Sequence, residues 1–119
     1  MARAPDKGKL ARLAQLAEME ARAKRARLAD AAKAEMRARD AFAAIDAQRA
    51  AALISLSART PDDAVTVRTT SAWMRWAEGE QRRLSIALAR QKAVIGELRR
   101  DTAKSIARQA VLEKLSKSS

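Results

Sequence analysis

Two short segments of this chain carry residue types with recognisable chemistry: the adjacent carboxylates Asp62-Asp63, and Trp73-Met74-Arg75-Trp76. The carboxylates follow Thr60-Pro61, and that order reads as a turn, where Asp side chains accept hydrogen bonds from nearby backbone. Two carboxylates hold magnesium only when substrate phosphates complete the shell. The chain has no His and no Cys. The usual general base, the thiol nucleophile and the usual zinc ligands are therefore missing. Gly8, Gly79 and Gly96 are too scattered to build a phosphate-cradling loop. These exclusions point to a chain that is not an enzyme, with no catalytic residue, no cofactor and no metal, whose work is done by its surface.

The tryptophans are the sharpest surface candidates. Trp73 and Trp76 are three apart and so occupy neighbouring positions on one helical face. They can form a hydrophobic plug against Leu53 and Leu56, or an exposed anchor, since Trp and Arg dominate interface hot spots. Both hold if one indole packs inward while the other, with Met74, stays available. The basic clusters are Lys24-Arg25-Ala26-Arg27, Arg82-Arg83 and Arg99-Arg100. A solvated helix face is their plain reading. Sequence-tolerant nucleic-acid binding would want aromatics interleaved with the cations on one element, so only non-specific binding to nucleic acid is expected here. The partner-binding candidates are accordingly Trp73, Met74, Trp76, Arg82, Arg83, Arg99 and Arg100.

The elements that must carry these residues follow from composition. The 119-residue chain is rich in Ala, Arg, Lys, Glu and Leu, with Phe42, Trp73 and Trp76 as its whole aromatic complement. Such a composition makes long helices or a coiled coil rather than a globule with a sizeable core. The net charge is +11, and it is spread evenly. Residues 1–58 hold 12 basic and 7 acidic groups (+5), and residues 71–119 hold 11 and 5 (+6). An acidic partner is implied. The N-terminus lacks the apolar stretch of a secretory signal, and the longest uncharged run, Ala50 to Ala58, is far short of a membrane span. The expected location is cytoplasmic.

The expected fold is all-α, a long antiparallel two-helix coiled-coil hairpin forming a single domain. A first helix is expected over about 7–58, a loop over about 59–70 and a second helix over about 71–116. Asp6 is placed to cap the first helix, and Thr70 or Ser71 the second, because the β-branched run Val65-Thr66-Val67 disfavours helix. The first helix repeats in heptads. One line is Ala14, Ala21, Leu28, Glu35, Phe42, Arg49 and Leu56; the other is Leu10, Ala17, Lys24, Ala31, Ala38, Ile45 and Ala52. The second reads Trp73, Ala77, Leu84, Leu88, Gln91, Ile95 and Leu98, then Ile106, Leu112 and Leu115, with a drift of phase around residue 102 that leaves the register near Gly96 and Thr102 open. Helical pairs at i,i+4 are expected for Glu18 with Arg22, Glu20 with Lys24, Glu35 with Arg39, Glu78 with Arg82, and Glu113 with Lys117.

A basic, aromatic-poor helical hairpin ending in Ala110-Val111-Leu112-Glu113-Lys114-Leu115 resembles the FliJ family of flagellar type III export proteins and their injectisome counterparts of the YscO type. The likeness spans nearly the whole chain and is one of architecture more than of motif. It implies a non-enzymatic stalk resembling the central shaft of rotary ATPases. Residues 7–30 and 100–119 would then enter the export ATPase ring. Trp73, Met74 and Trp76, with Arg82 and Arg83, would meet the cytoplasmic domain of the export gate. Export chaperones are further partners implied by the resemblance, and peripheral association with the inner face of the membrane would come only through that complex. The alternatives are a generic oligomerising coiled-coil scaffold and, less favoured by the residues, a basic nucleic-acid-associated protein.

Overall fold

The computed structural model describes residues 6–58 and 64–118. They form α1 (Lys7–Ser57) and α2 (Ala64–Ser118), with no strand among the described residues. The fold is all-α, an antiparallel two-helix hairpin. Thr60-Pro61-Asp62-Asp63, assigned above to the turn, lies outside the described residues.

Alanine has the highest helix propensity, and neither helix contains proline. The ends of α1 are closed as its sequence requires. Asp6 Oδ1 accepts a hydrogen bond from the Gly8 N–H at 3.1 Å, and the Asp6 carbonyl accepts from Leu10 N–H at 2.9 Å. This satisfies donors that a helix start otherwise leaves unpaired. At the other end the Ile54 carbonyl accepts from both Ala58 N–H (3.1 Å) and Ser57 Oγ (2.9 Å).

The second helix departs from expectation. It begins at Ala64, not near Ser71, so Val65-Thr66-Val67 and Thr69-Thr70 are helical and neither Thr70 nor Ser71 caps anything. The cost of a β-branched residue in a helix is only a fraction of about 0.7 kcal/mol. Partial burial against α1 offsets it: Thr66 and Thr70 are half-buried, although a shallow cavity of about 230 Å³ remains between them and Ala52, Ser55 and Leu56. Thr69 also turns its hydroxyl back onto the Val65 carbonyl at 2.9 Å, so that side chain leaves no donor unpaired.

The chain divides into two compact units: Ala34–Lys92, and Met1–Lys33 with Ala93–Ser119. In the first, Ile45, Ala77 and Leu84 are buried together, with Ala38, Phe42 and Trp73 packed on them. Ala77 is fully buried, and its small side chain is what lets the larger neighbours close over it. In the second, the buried positions are Leu10, Ala17, Ala21, Ile95, Thr102 and Ser105. Most of these are small, which permits close backbone approach but contributes little apolar area.

Every position of the two heptad lines in α1 is buried or half-buried. In α2 the first seven positions hold, but the drift at residue 102 does not occur. Thr102, Ser105 and Gln109 continue the alternation of three and four residues to Leu112 and Ser116, while Ile106 and Leu115 are exposed. Following the apolar residues to Ile106 would require turning the helix by about 100°. Keeping register costs less, because Thr102 donates its hydroxyl to the Leu98 carbonyl at 2.6 Å and enters the seam already satisfied.

Gly79 lies inside α2 with ordinary helical φ, and a Cβ built on it meets nothing within 4 Å. Gly79→Ala is expected to stabilise the fold by about 0.4–1 kcal/mol, read as a raised thermal midpoint by circular dichroism. An unchanged or lowered midpoint would contradict the open surface assigned to that position.

Candidate partner-binding surfaces

The tryptophan pair splits as the spacing allows. Trp73 is half-buried and packs on the cluster of Ile45, Ala77 and Leu84. Trp76 is 55% exposed, with its ring centroid 6.4 Å from that of Trp73 and the two planes tilted by 41°. Such tilted contacts are favourable aromatic geometry. Trp73 thus anchors Trp76 from beneath, limiting the rotamer freedom that the outer indole would lose on meeting a partner. Met74 is half-buried and Arg75 exposed.

The two arginines expected to assist are not equivalent. Arg83 is held by Glu80 one turn earlier: its Nε donates to Glu80 Oε2 at 3.2 Å, and its Nη2 donates to Glu80 Oε1. The hydrogen bond from Arg83 holds the Glu80 carboxyl below the usual carboxylate range, and the same bond raises the arginine. Arg83 is exposed and Glu80 half-buried, and a pair so open to water mainly orients the guanidinium rather than adding stability. Arg82 is exposed and makes no ion pair among the described residues. Its expected partner, Glu78, turns instead to Arg49 of α1 at 3.2 Å. Arg99 and Arg100 are also exposed, but they belong to the unit of Met1–Lys33 and Ala93–Ser119, whereas Trp73, Met74, Trp76, Arg82 and Arg83 belong to the other.

A polar cluster that sequence reasoning passed over lies in the Ala34–Lys92 unit. Gln81 is buried. Its Oε1 accepts from Arg49 Nη1 at 2.6 Å, and its Nε2 donates to Asp46 Oδ1 at 3.2 Å and to the Phe42 carbonyl at 3.4 Å. Arg49 is one of the charged residues in the α1 heptad, and its second bond to Glu78 explains why a charge is tolerated there. The only sequence signal for Gln81 is its place, four after Ala77 and three before Leu84. A polar residue at such a position specifies register at some cost in stability. In the other unit the helices are tied by Arg108 to Glu20 at 3.5 Å, and Glu20 also pairs with Lys24 at 3.2 Å. The pairs of Glu18 with Arg22 and Glu35 with Arg39 form as spaced. That of Glu113 with Lys117 does not: Glu113 accepts from Gln109 Nε2 at 3.0 Å.

Among the described residues no group of three or more His, Cys, Asp or Glu is placed to hold a metal ion. No helix among them is long and apolar enough to cross a membrane. The paired carboxylates Asp62-Asp63 lie outside the described residues. No protein-family model matches the chain, and no curated protein or solved structure is significantly similar to it.

Gln81→Ala is expected to cost about 1–3 kcal/mol in urea unfolding, because it strips Arg49 and Asp46 of a buried partner. Trp73→Ala is expected to cost more than Trp76→Ala, whose effect should stay within about 0.5–1 kcal/mol. Equal losses at the two tryptophans would mean that the outer indole is also part of the packing.

Proposed function

We propose that this chain is a non-enzymatic helical stalk and adaptor of a flagellar-type (type III) protein export apparatus, a cytoplasmic component drawn to the inner face of the membrane by its partners. The observation that carries this reading is the pairing of helices of 51 and 55 residues along a seam where no large side chain is fully buried among the described residues. Such a pair offers length and surface but almost no interior.

In this reading residues 7–30 and 100–119 enter the lumen of an acidic ATPase ring. A cationic surface is attracted to such a lumen at long range, while water between the charges keeps the contact loose enough to permit motion. Trp76 and Met74 meet the cytoplasmic domain of the export gate, and Arg82, which makes no ion pair among the described residues, contributes charge further along the same helix. Export chaperones dock on the remaining surface. The alternative is an oligomerising coiled-coil scaffold, favoured by the exposure of Leu53, Ile54 and Val111. Binding to nucleic acid is expected at low salt and to fade steeply as salt rises.

The test is biochemical. Added to a purified flagellar-type export ATPase, the chain should stimulate ATP hydrolysis, and raised salt should remove the effect. Trp76→Ala should weaken binding to the gate domain about tenfold or more with helicity unchanged. A stable tetramer in sedimentation at micromolar concentration, without stimulation, would establish the scaffold instead. Nanomolar affinity for duplex DNA at physiological salt would overturn both.

A further inference from the structure

The face of α1 that meets α2 passes through Leu10, Ala14, Ala17 and Ala21. A second apolar line follows another side of the same helix. Leu13, Leu16 and Met19 are 49%, 58% and 64% exposed, and Ala23 and Ala26 extend the line. At about 100° per residue, it sits roughly 140° around the helix from the first, where α2 does not cover it.

Two shallow, open hollows mark this face. One hollow of about 190 Å³ is bounded by Lys9, Arg12, Leu13 and Leu16. Another of about 340 Å³ is bounded by Met19, Arg22, Ala23 and Ala26. Each set has the spacing i, i+3, i+4, i+7. Four residues so placed form the hole that receives one side chain of a facing helix in knobs-into-holes packing. The holes begin at Lys9 and Met19, an offset that heptad steps of three, four and three residues produce. The second hole has alanines where the first has leucines, and so admits a bulkier knob.

Charge selects the occupant. Lys9 and Arg12 border the first hole and have no acidic partner among the described residues. Arg22 borders the second and is drawn toward Glu18 at 2.8 Å. A second copy would bring these same cations into play and set one +11 chain against another. A flat anionic lipid surface matches the charge but has no use for two holes in heptad phase. An acidic helix matches both.

We propose that residues 9–26 of α1 form a second coiled-coil seam that receives an acidic amphipathic helix of another protein. Its large apolar side chains, spaced ten residues apart, fill the two holes, and its neighbouring Glu or Asp side chains meet Lys9 and Arg12. The seam lies within residues 7–30, which the export-stalk reading places in the ATPase ring. It stands whether the acidic helix belongs to that ring or to another protein, so a chain that fails to stimulate the ATPase can still bind the peptide below.

The probe is a fluorescent synthetic peptide of about four heptads with Leu at a and d and Glu at e and g, titrated with the full chain. Saturable binding with Kd on the order of micromolar is expected, weakening as salt rises. Leu16→Glu with Met19→Glu should weaken it by at least about tenfold. Ile86→Glu, at an equally exposed apolar position outside the face, should leave it unchanged. Should the double substitution lower helicity, Ala26→Glu, on an exposed alanine at the rim, replaces it with the same expectation. Because the chain lacks cysteine, Ala23→Cys bearing a photocrosslinker should trap the peptide. Several results would overturn the proposal: no saturable binding, equal binding of a peptide with Lys at e and g, or affinity untouched by the face substitutions. So would binding to phosphatidylglycerol vesicles, or self-association, that depends on Leu16 and Met19 in place of peptide binding.

Discussion

A two-helix protein has only one seam in which to bury side chains, and here the α1 side of that seam is alanine at six of its fourteen heptad positions. Everything else follows from that constraint. Alanine at Ala17, Ala21 and Ala77 lets the opposing helix come close, but removes little apolar area from water. Stability must therefore come from other sources as well: high intrinsic helix propensity along both helices, local pairs such as Glu18 with Arg22, and a few larger residues concentrated near Ile45 and Leu84. Each local pair contributes only a few tenths of a kcal/mol. Their value lies in number and in agreement with the heptad pattern, which is what makes a long helix cooperative.

A thin seam is also an ambiguous one. Small side chains such as Ala17, Ala21 and Ala31 interlock only weakly with what faces them, so polar contacts must help to set the register. In the Ala34–Lys92 unit the bonds of Gln81 to Arg49, Asp46 and the Phe42 carbonyl do so. A shift by one heptad would break these bonds and leave the buried Gln81 amide without partners. In the other unit the bond of Arg108 to Glu20 is long and exposed, and Thr102 satisfies itself on its own helix. Polar residues there are tolerated rather than specific. The register of the chain is thus written mainly near Gln81.

What could be read in the sequence and what could not divide along this line. The α1 seam was legible in full, including the unfavourable-looking Lys24, Glu35 and Arg49, because an unbroken helix obliges every heptad position to face the same way. The seam of α2 was legible only as far as its apolar residues agreed with its geometry. At Thr102 and Ser105 the geometry prevailed, and Ile106 was left outside. The early start of α2 was missed because propensity was weighed without the packing of Thr66 and Thr70. That one indole could pack inward while the other stayed out was open in the sequence. The inner one was expected against Leu53 and Leu56, whereas Trp73 packs on the cluster of Ile45, Ala77 and Leu84, and Leu53 is exposed. The difference between Arg82 and Arg83 was not, since it depends on Glu78 choosing a partner on the other helix while Glu80 keeps its own.

Apolar residues and positive charge on the same surface are usually opposed, the first promoting association and the second preventing it. In the reading proposed above they act as a filter. Exposed Leu16, Met19 and Trp76 would be sites of self-association on a neutral protein. At +11 the approach of a second copy is repelled, while that of an acidic partner is accelerated. Short-range fit then decides which acidic partner stays. A helix that places side chains in the holes of α1, or a pocket that accepts the outer indole, gains contact area that a merely anionic surface does not. On that proposal the charge sets which molecules arrive, and the spacing of a few apolar side chains sets which remain.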